Sequence, residues 1–126
     1  LLKKINYITD KRISHASFFD KKLSSISEII IPKRFNNNKQ VFHIYVIRVK
    51  NRNKLKVYLN KNGIDAKIHY PVPMHLQPAA KEYGYKKGDF PITENICKSI
   101  LSLPVHEFIT YKQKLFIVKK IKDFYK

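Results

Sequence analysis

The sequence predicts a small α+β domain in which a short mixed or antiparallel sheet is covered by helices. Three observations support this fold class. Apolar residues recur every three to four positions in several segments, which is the periodicity of amphipathic helices. A few short runs are rich in β-branched and aromatic residues, as strands are. With 126 residues, of which 44% are hydrophobic, the chain is long enough for one domain with one core.

The first half begins with a helix over 2–23, where apolar residues follow helical spacing. Residues 28–31 (Glu-Ile-Ile-Ile) form a short strand that Pro32 stops. The Asn-rich residues 33–40 form a loop. The run 41–49 is apolar on nearly both faces, so it is the best candidate for the central strand.

A second helix is predicted over 52–62, because Asn51 or Asn53 can cap its start and Gly63 can end it in the left-handed conformation. Residues 64–70 then alternate between apolar and polar side chains. This pattern predicts a second main strand.

Prolines and glycines make residues 71–88 irregular, with room for a short helix over 76–83. Thr93 can cap a helix whose apolar face reaches Leu101, and residues 102–105 follow as a short extended segment. Residues 110–113 (Thr-Tyr-Lys-Gln) fit a capping box, which opens the last helix.

Composition excludes several classes of protein. The one cysteine, Cys97, cannot form an internal disulfide, and on the buried face of its predicted helix it is an inert hydrophobe. No apolar run approaches the roughly 20 residues of a bilayer-spanning helix, and we expect no signal peptide. We therefore expect no membrane span and a cytoplasmic location. Because Leu1 starts inside an apolar-periodic segment, we expect a piece of a longer protein.

The net charge of +17 suggests an alternative function, a small basic α+β nucleic-acid-binding domain. However, 22 of the 26 basic residues are lysine, whereas bidentate recognition of phosphate and guanine uses arginine. The basic-glycine-aromatic motif of RNA-recognition domains is also absent from the sequence. Nine basic residues and no acidic residue lie between Glu28 and Asp65, and this stretch would attract a small diphosphate as much as RNA.

The sequence also lacks the common phosphate-binding and metal-binding motifs. Its three glycines cannot form a dinucleotide-binding or phosphate-binding loop. Its five histidines lack the spacing of a zinc site, and no cysteine cluster accompanies them. We expect no metal site.

One segment, residues 69–78 (His-Tyr-Pro-Val-Pro-Met-His-Leu-Gln-Pro), has the features of a binding site. His69 and Tyr70 leave a predicted strand end for a proline-stiffened loop that also holds His75. Rigid loops at strand ends commonly carry binding residues. A structural role fits these residues as well: a hydrogen bond from His69 to the loop backbone, packing by Tyr70, and prolines that only route the chain.

An ordered set of motifs resembles the C-terminal domain of the DegT/StrS-type sugar aminotransferases, which are pyridoxal-phosphate enzymes of the aspartate-aminotransferase (type I) fold. The resemblance covers essentially the whole chain, and the 69–78 loop is its most specific part. The other motifs are the strand 41–49, Leu55-x-x-Tyr58-Leu59-x-x-x-Gly63-Ile64, Phe90-Pro91 and Leu101-Ser102-Leu103-Pro104, with residues 11–23 matching the long helix that enters this domain.

The resemblance implies that the parent protein transfers an amino group, usually from glutamate, to a keto group on a nucleotide-linked sugar, for polysaccharide or antibiotic sugar biosynthesis. Pyridoxal phosphate supplies the electron sink in such enzymes. The resemblance further implies that His69, Tyr70 and His75 border the substrate. Residues 1–126 would be one small C-terminal domain, with 1–23 as a connecting helix and 28–126 as an α+β layer.

The resemblance also implies that a larger N-terminal domain is absent, and with it the Schiff-base lysine and the phosphate cup. We therefore expect no catalytic or cofactor-binding residue in this chain, and neither transaminase activity nor tight cofactor binding by the chain alone. The parent would be a homodimer. A third interpretation is a fragment that only mediates association, through the face that normally packs on the larger domain.

Overall fold

The computed structural model describes residues 2–126, which form four α-helices and one three-stranded sheet. A 3-10 turn at Leu2–Lys4 precedes the first helix, and two further 3-10 segments, Met74–Leu76 and Pro78–Tyr83, lie in the middle of the chain. The regular elements in chain order are α1 (Ile5–Leu23), β1 (Ile29–Ile30), β2 (Tyr45–Val49), α2 (Arg52–Lys61), α3 (Pro91–Ser99), β3 (Ile100–Leu103) and α4 (Tyr111–Phe124).

The sheet has the order β1-β2-β3 and is antiparallel throughout. In its register Ile29 faces Val49, and Tyr45 faces Leu103. The central strand β2 alternates buried and half-buried residues, so one of its faces belongs to the core. The α+β fold predicted from the sequence is thus confirmed, in its antiparallel form.

The core forms where α1, α2 and α4 meet the sheet. Its largest fully buried side chains come from all of these elements and are listed here in chain order: Phe19, Leu23, Tyr45, Ile47, Leu55, Leu59, Leu101 and Ile121. Full burial of one such aliphatic or aromatic side chain stabilises a fold by roughly 1.5–3 kcal/mol. These contacts fix the sheet as a rigid support for the loops at its edges.

Three predicted strand regions are shorter in the structure. The run 41–49 is a strand only from Tyr45, because Phe42 has a φ of 51° and this left-handed residue interrupts the extended chain. The second main strand predicted over 64–70 was wrong, since it contributes only one bridge, between Lys67 and Ser102. The strand predicted at 28–31 is reduced to β1.

Two sequence signals at helix ends are confirmed by the structure. The capping box at the start of α4 is confirmed, with the Gln113 amide donating to Thr110 Oγ1 at 3.2 Å and the Thr110 amide donating to Gln113 Oε1 at 2.8 Å. Gly63 has a φ of 76° just after α2, as predicted. The third helix differs, because it starts at Pro91 rather than after Thr93, and Leu101 lies in β3.

Among residues 2–126, no helix is both long enough and apolar enough to cross a membrane.

Candidate functional site

A pocket of about 210 Å³ lies at the edge of the sheet, where the chain passes from the bridge at Lys67 into the 69–78 loop. We call it the His69 pocket. Three histidines contribute to its wall, together with residues from β3 and the loop that follows this strand. The lining residues are His43, Ile44, Asp65, Lys67, His69, Ser102, Leu103, Pro104, Val105 and His106.

His69 is fixed in this pocket by a buried partner. Its Nδ1 lies 2.9 Å from Oγ of Ser102, a β3 residue with only 5% of its surface exposed. The backbone of Ser102 is itself paired with Lys67, through bonds of 2.8 and 3.0 Å. With Nδ1 engaged, Nε2 is the ring nitrogen of His69 that can bond a ligand.

Tyr70 lies beside the pocket rather than within its wall. Its side chain is 68% exposed, and its ring meets the ring of His69 edge-on, with the centroids 6.0 Å apart. The peptide bond between the two residues is cis. The structure therefore brings His69 and Tyr70 together at one edge, with the phenol facing solvent.

His75 belongs to a different cluster. Only 7% of its side chain is exposed, and its Nε2 donates to Oε1 of Glu94 at 3.1 Å. The Phe90 ring lies 4.7 Å from the imidazole, centroid to centroid, and the Gly88 amide donates to the same Glu94 oxygen at 2.7 Å. Hydrogen bonds from Gly88 and then His75 lower the pKa of Glu94, although its burial opposes them. His75 thus anchors the loop in this structure.

Sequence reasoning missed two histidines of the pocket. The sequence predicted that His43 lies within a continuous strand over 41–49. In the structure, the left-handed turn at Phe42 interrupts that strand and brings His43 to the pocket. His106 follows β3 by a few residues, so the rule that strand ends carry site residues could have identified it. Lys67 supplies the one basic charge on the wall, and it is paired with Asp65 at 3.0 Å.

The acid-free stretch of the sequence lies elsewhere. None of its nine basic residues lines the His69 pocket. Lys33, Arg34 and Lys39 instead line a groove of about 560 Å³ between α1 and the loop before β2. The guanidinium of Arg34 donates hydrogen bonds of 3.0 and 3.1 Å to the Asp20 carboxylate. These basic residues therefore lie outside the wall of the His69 pocket.

Lys114 is the one buried lysine among residues 2–126. Its Nζ donates to Nδ1 of His15 at 3.1 Å and lies 4.6 Å from the centroid of the Phe18 ring, so the amine faces α1 rather than a pocket. Burial lowers the pKa of Lys114. Within the same residues, no group of His, Cys, Asp and Glu side chains could hold a metal ion.

Known proteins resemble this chain in both sequence and structure. The "Pleiotropic regulatory protein" of Geobacillus stearothermophilus is 35% identical over 120 residues, which are 94% of this chain and 32% of that protein. The dTDP-3-amino-3,4,6-trideoxy-alpha-D-glucose transaminase of Streptomyces venezuelae is 30% identical over 80% of this chain and 27% of its own length. The chain therefore spans about a third of the length of the curated relatives it matches.

Solved structures extend this similarity. The crystal structure of S. venezuelae DesV in complex with a ketimine intermediate matches 99% of this chain and 34% of its own, with a TM-score of 0.94 at 26% identity. A DegT DnrJ EryC1 StrS aminotransferase from Brucella abortus matches 98% of this chain and 33% of its own, with a TM-score of 0.89 at 29% identity. The profile of that family covers residues 1–122. The chain belongs to the DegT/DnrJ/EryC1/StrS aminotransferase family.

Proposed function

We propose that this chain is the C-terminal small domain of a pyridoxal-phosphate-dependent aminotransferase that transfers an amino group from glutamate to a nucleotide-linked keto sugar. Family membership over residues 1–122 supports this proposal most strongly. Two relatives at 30% and 32% identity are transaminases of dTDP-linked amino sugars. The product would serve polysaccharide or antibiotic sugar biosynthesis.

Within that enzyme, the His69 pocket would receive part of the substrate. Nε2 of His69 can bond a sugar hydroxyl or a phosphate oxygen, because Ser102 already holds Nδ1. The hydroxyl of the exposed Tyr70 can do the same from the pocket edge. His75 would contribute less directly, by holding the loop through Glu94. The near-neutral wall, in which Asp65 pairs with Lys67, suits sugar hydroxyls better than a bare diphosphate.

The cofactor supplies the electron sink when it is bound. We propose that the residues that hold it belong to a larger N-terminal domain of the parent, which would act as a homodimer. In this view residues 1–23 connect the two domains, and the chain alone has no transaminase activity and binds the cofactor weakly.

Reduction with a hydride donor in the presence of pyridoxal phosphate tests the proposal on the chain and on the parent side by side. The parent should acquire a visible absorption band, and reduction should fix the cofactor to a lysine outside residues 1–126. The isolated chain should show no saturable band. Label recovered on a peptide of this chain would contradict the assignment of the cofactor site to the other domain, and a parent without any cofactor band would contradict the proposed function.

A further inference from the structure

We propose that Arg12 of α1 is a positioning residue for the His69 pocket, because its guanidinium joins the two chain segments that bring His43 and His106 to the pocket wall. That Arg12 holds these two segments in place does not depend on the proposed function. Its effect on catalysis rests on the proposed function.

The guanidinium of Arg12 has three partners in two segments that are far apart in sequence. Its Nη1 donates to the carbonyl oxygen of Phe42 at 3.2 Å and to that of His43 at 3.0 Å. Its Nη2 lies 3.8 Å from Oε2 of Glu107. The side chains of Arg12 and Glu107 are only 23% and 17% exposed, so the ion pair is partly shielded from water, whereas the bond to the His43 carbonyl is exposed. One side chain thus links the turn before β2 to the loop after β3.

The first segment needs such support because its backbone is unfavourable. Phe42 has a φ of 51°, in the left-handed region that residues with a Cβ rarely adopt. Its side chain is buried, and the guanidinium of Arg34 lies 5.0 Å from its ring centroid. Because Arg12 satisfies the carbonyl groups of Phe42 and His43, it stabilises the turn that directs His43 to the pocket and Tyr45 into β2.

The second segment carries His106 next to Glu107. A charged partner for Glu107 fixes this loop at the position where His106 lines the pocket. The planar guanidinium can bond two carbonyl groups and a carboxylate at once, whereas the ammonium of lysine is a compact point charge. We therefore expect arginine to be required at position 12, rather than any basic residue.

Backbone ¹⁵N relaxation on the 126-residue chain tests the structural part. In Arg12→Ala, the order parameters at residues 42–44 and 106–107 should fall from about 0.85 toward about 0.6, while those of β2 stay unchanged. Arg12→Lys should restore these order parameters only in part. Lys11→Ala, which removes the neighbouring exposed charge on the same helix, should change neither segment and serves as the matched control.

If Arg12→Ala does not fold, Glu107→Gln provides an independent test, because it weakens only the ion pair. The order parameters should then fall at 106–107, while 42–44 keep their carbonyl bonds and their order. A folded Arg12→Ala chain with the order parameters of Lys11→Ala would overturn the inference. So would a Glu107→Gln chain whose order parameters at 106–107 are unchanged.

In the parent protein, Arg12→Ala should raise the KM for a nucleotide-linked keto sugar by about tenfold and change kcat much less, because the pocket is misplaced rather than removed. The KM of Arg12→Lys should lie between those of the unsubstituted parent and Arg12→Ala. A parent that lacks transaminase activity altogether would contradict the proposed function, while the relaxation result would still decide the role of Arg12. Equal losses in kcat for Arg12→Ala and Lys11→Ala would overturn the positioning role.

Discussion

The carboxylate of Glu94 accepts hydrogen bonds from His75 at 3.1 Å and from the Gly88 amide at 2.7 Å, both through Oε1. These bonds tie the first turn of α3 to the 3-10 segment Met74–Leu76 and to the turn before Phe90. The side chains of Glu94 and His75 are only 9% and 7% exposed. A long connection with little regular structure is thus anchored at one buried carboxylate.

Glu94→Gln should loosen this connection, because the replacement removes the charge that strengthens both hydrogen bonds. We expect faster proteolysis within residues 71–90 and a lower midpoint of thermal unfolding. Glu82→Gln, at an exposed position of the same connection, is the matched control and should leave both quantities unchanged. Equal effects of the two substitutions would contradict the anchoring role of Glu94.

The Ser102 hydroxyl should set the orientation of the His69 ring. Ser102→Ala removes the 2.9 Å contact at Nδ1 and should destabilise the chain by about 0.5–1.5 kcal/mol, as for loss of one buried hydrogen bond. The ¹⁵N shifts of the His69 ring should move toward those of a freely exchanging imidazole. Ser17→Ala, which removes an exposed bond within α1, should leave those shifts unchanged. Unchanged ring shifts in Ser102→Ala would show that Ser102 does not hold this ring.

The contact between His15 and Lys114 predicts a pH dependence of stability. Burial and then the positive charge of Lys114 lower the pKa of His15 below its ordinary value of 6.5, and Lys11 and His106 act in the same direction. The unfolded chain therefore binds this proton more readily than the folded chain. The contribution of His15 to stability is complete above about pH 6.5 and is lost as the pH falls through the lowered pKa of the folded state.

Urea unfolding between pH 7.5 and 5 checks this sign. The free energy of unfolding should decrease as the pH falls, and the decrease should be smaller in His15→Gln, whose amide oxygen can still accept from Lys114. A decrease of equal size in both chains would contradict the assignment to His15. His43→Gln, at the exposed His43, is the control for loss of one histidine.

The high net charge predicts only weak, non-specific binding to nucleic acid. Titration of a generic RNA at two salt concentrations should give low affinity at physiological salt, because lysines supply most of the charge and the described basic residues Arg34 and Arg48 are bonded within the fold. Tight binding with a steep dependence on salt would instead favour the alternative function, a nucleic-acid-binding domain.

Two local signals in the sequence predicted local structure correctly. The predicted caps at Asn51 and Thr93 did not, because Asn51 makes no side-chain cap bond and Thr93 lies inside α3. The capping box at Thr110 and the left-handed Gly63 depend on a few neighbouring residues, so they can be recognised without the fold. The start of β2 could not be predicted, because the turn at Phe42 depends on Arg12, which is 30 residues away in sequence. The strand predicted from the alternating pattern of 64–70 was wrong, because only Lys67 pairs with a neighbouring strand.

In the candidate site, too, features that depend on neighbouring residues could be predicted, and features that depend on distant residues could not. His69 and Tyr70 were identifiable from the prolines that follow them, although the strand predicted to end there contributes only the bridge at Lys67. The role of Ser102 depends on a contact across 33 positions, which no local pattern reports. The pairing of His75 with Glu94 is equally non-local. That His69, Tyr70 and His75 border the substrate stays a prediction.

The most direct test of the central claim is the transfer of an amino group from glutamate to a nucleotide-linked keto sugar by the full-length parent, with His69→Ala compared against His15→Gln. We predict formation of 2-oxoglutarate and an amino sugar by the parent, with a KM for the sugar raised by about tenfold in His69→Ala and nearly unchanged in His15→Gln. A parent that forms neither product, or a His69→Ala enzyme with unchanged KM and kcat, would contradict the account.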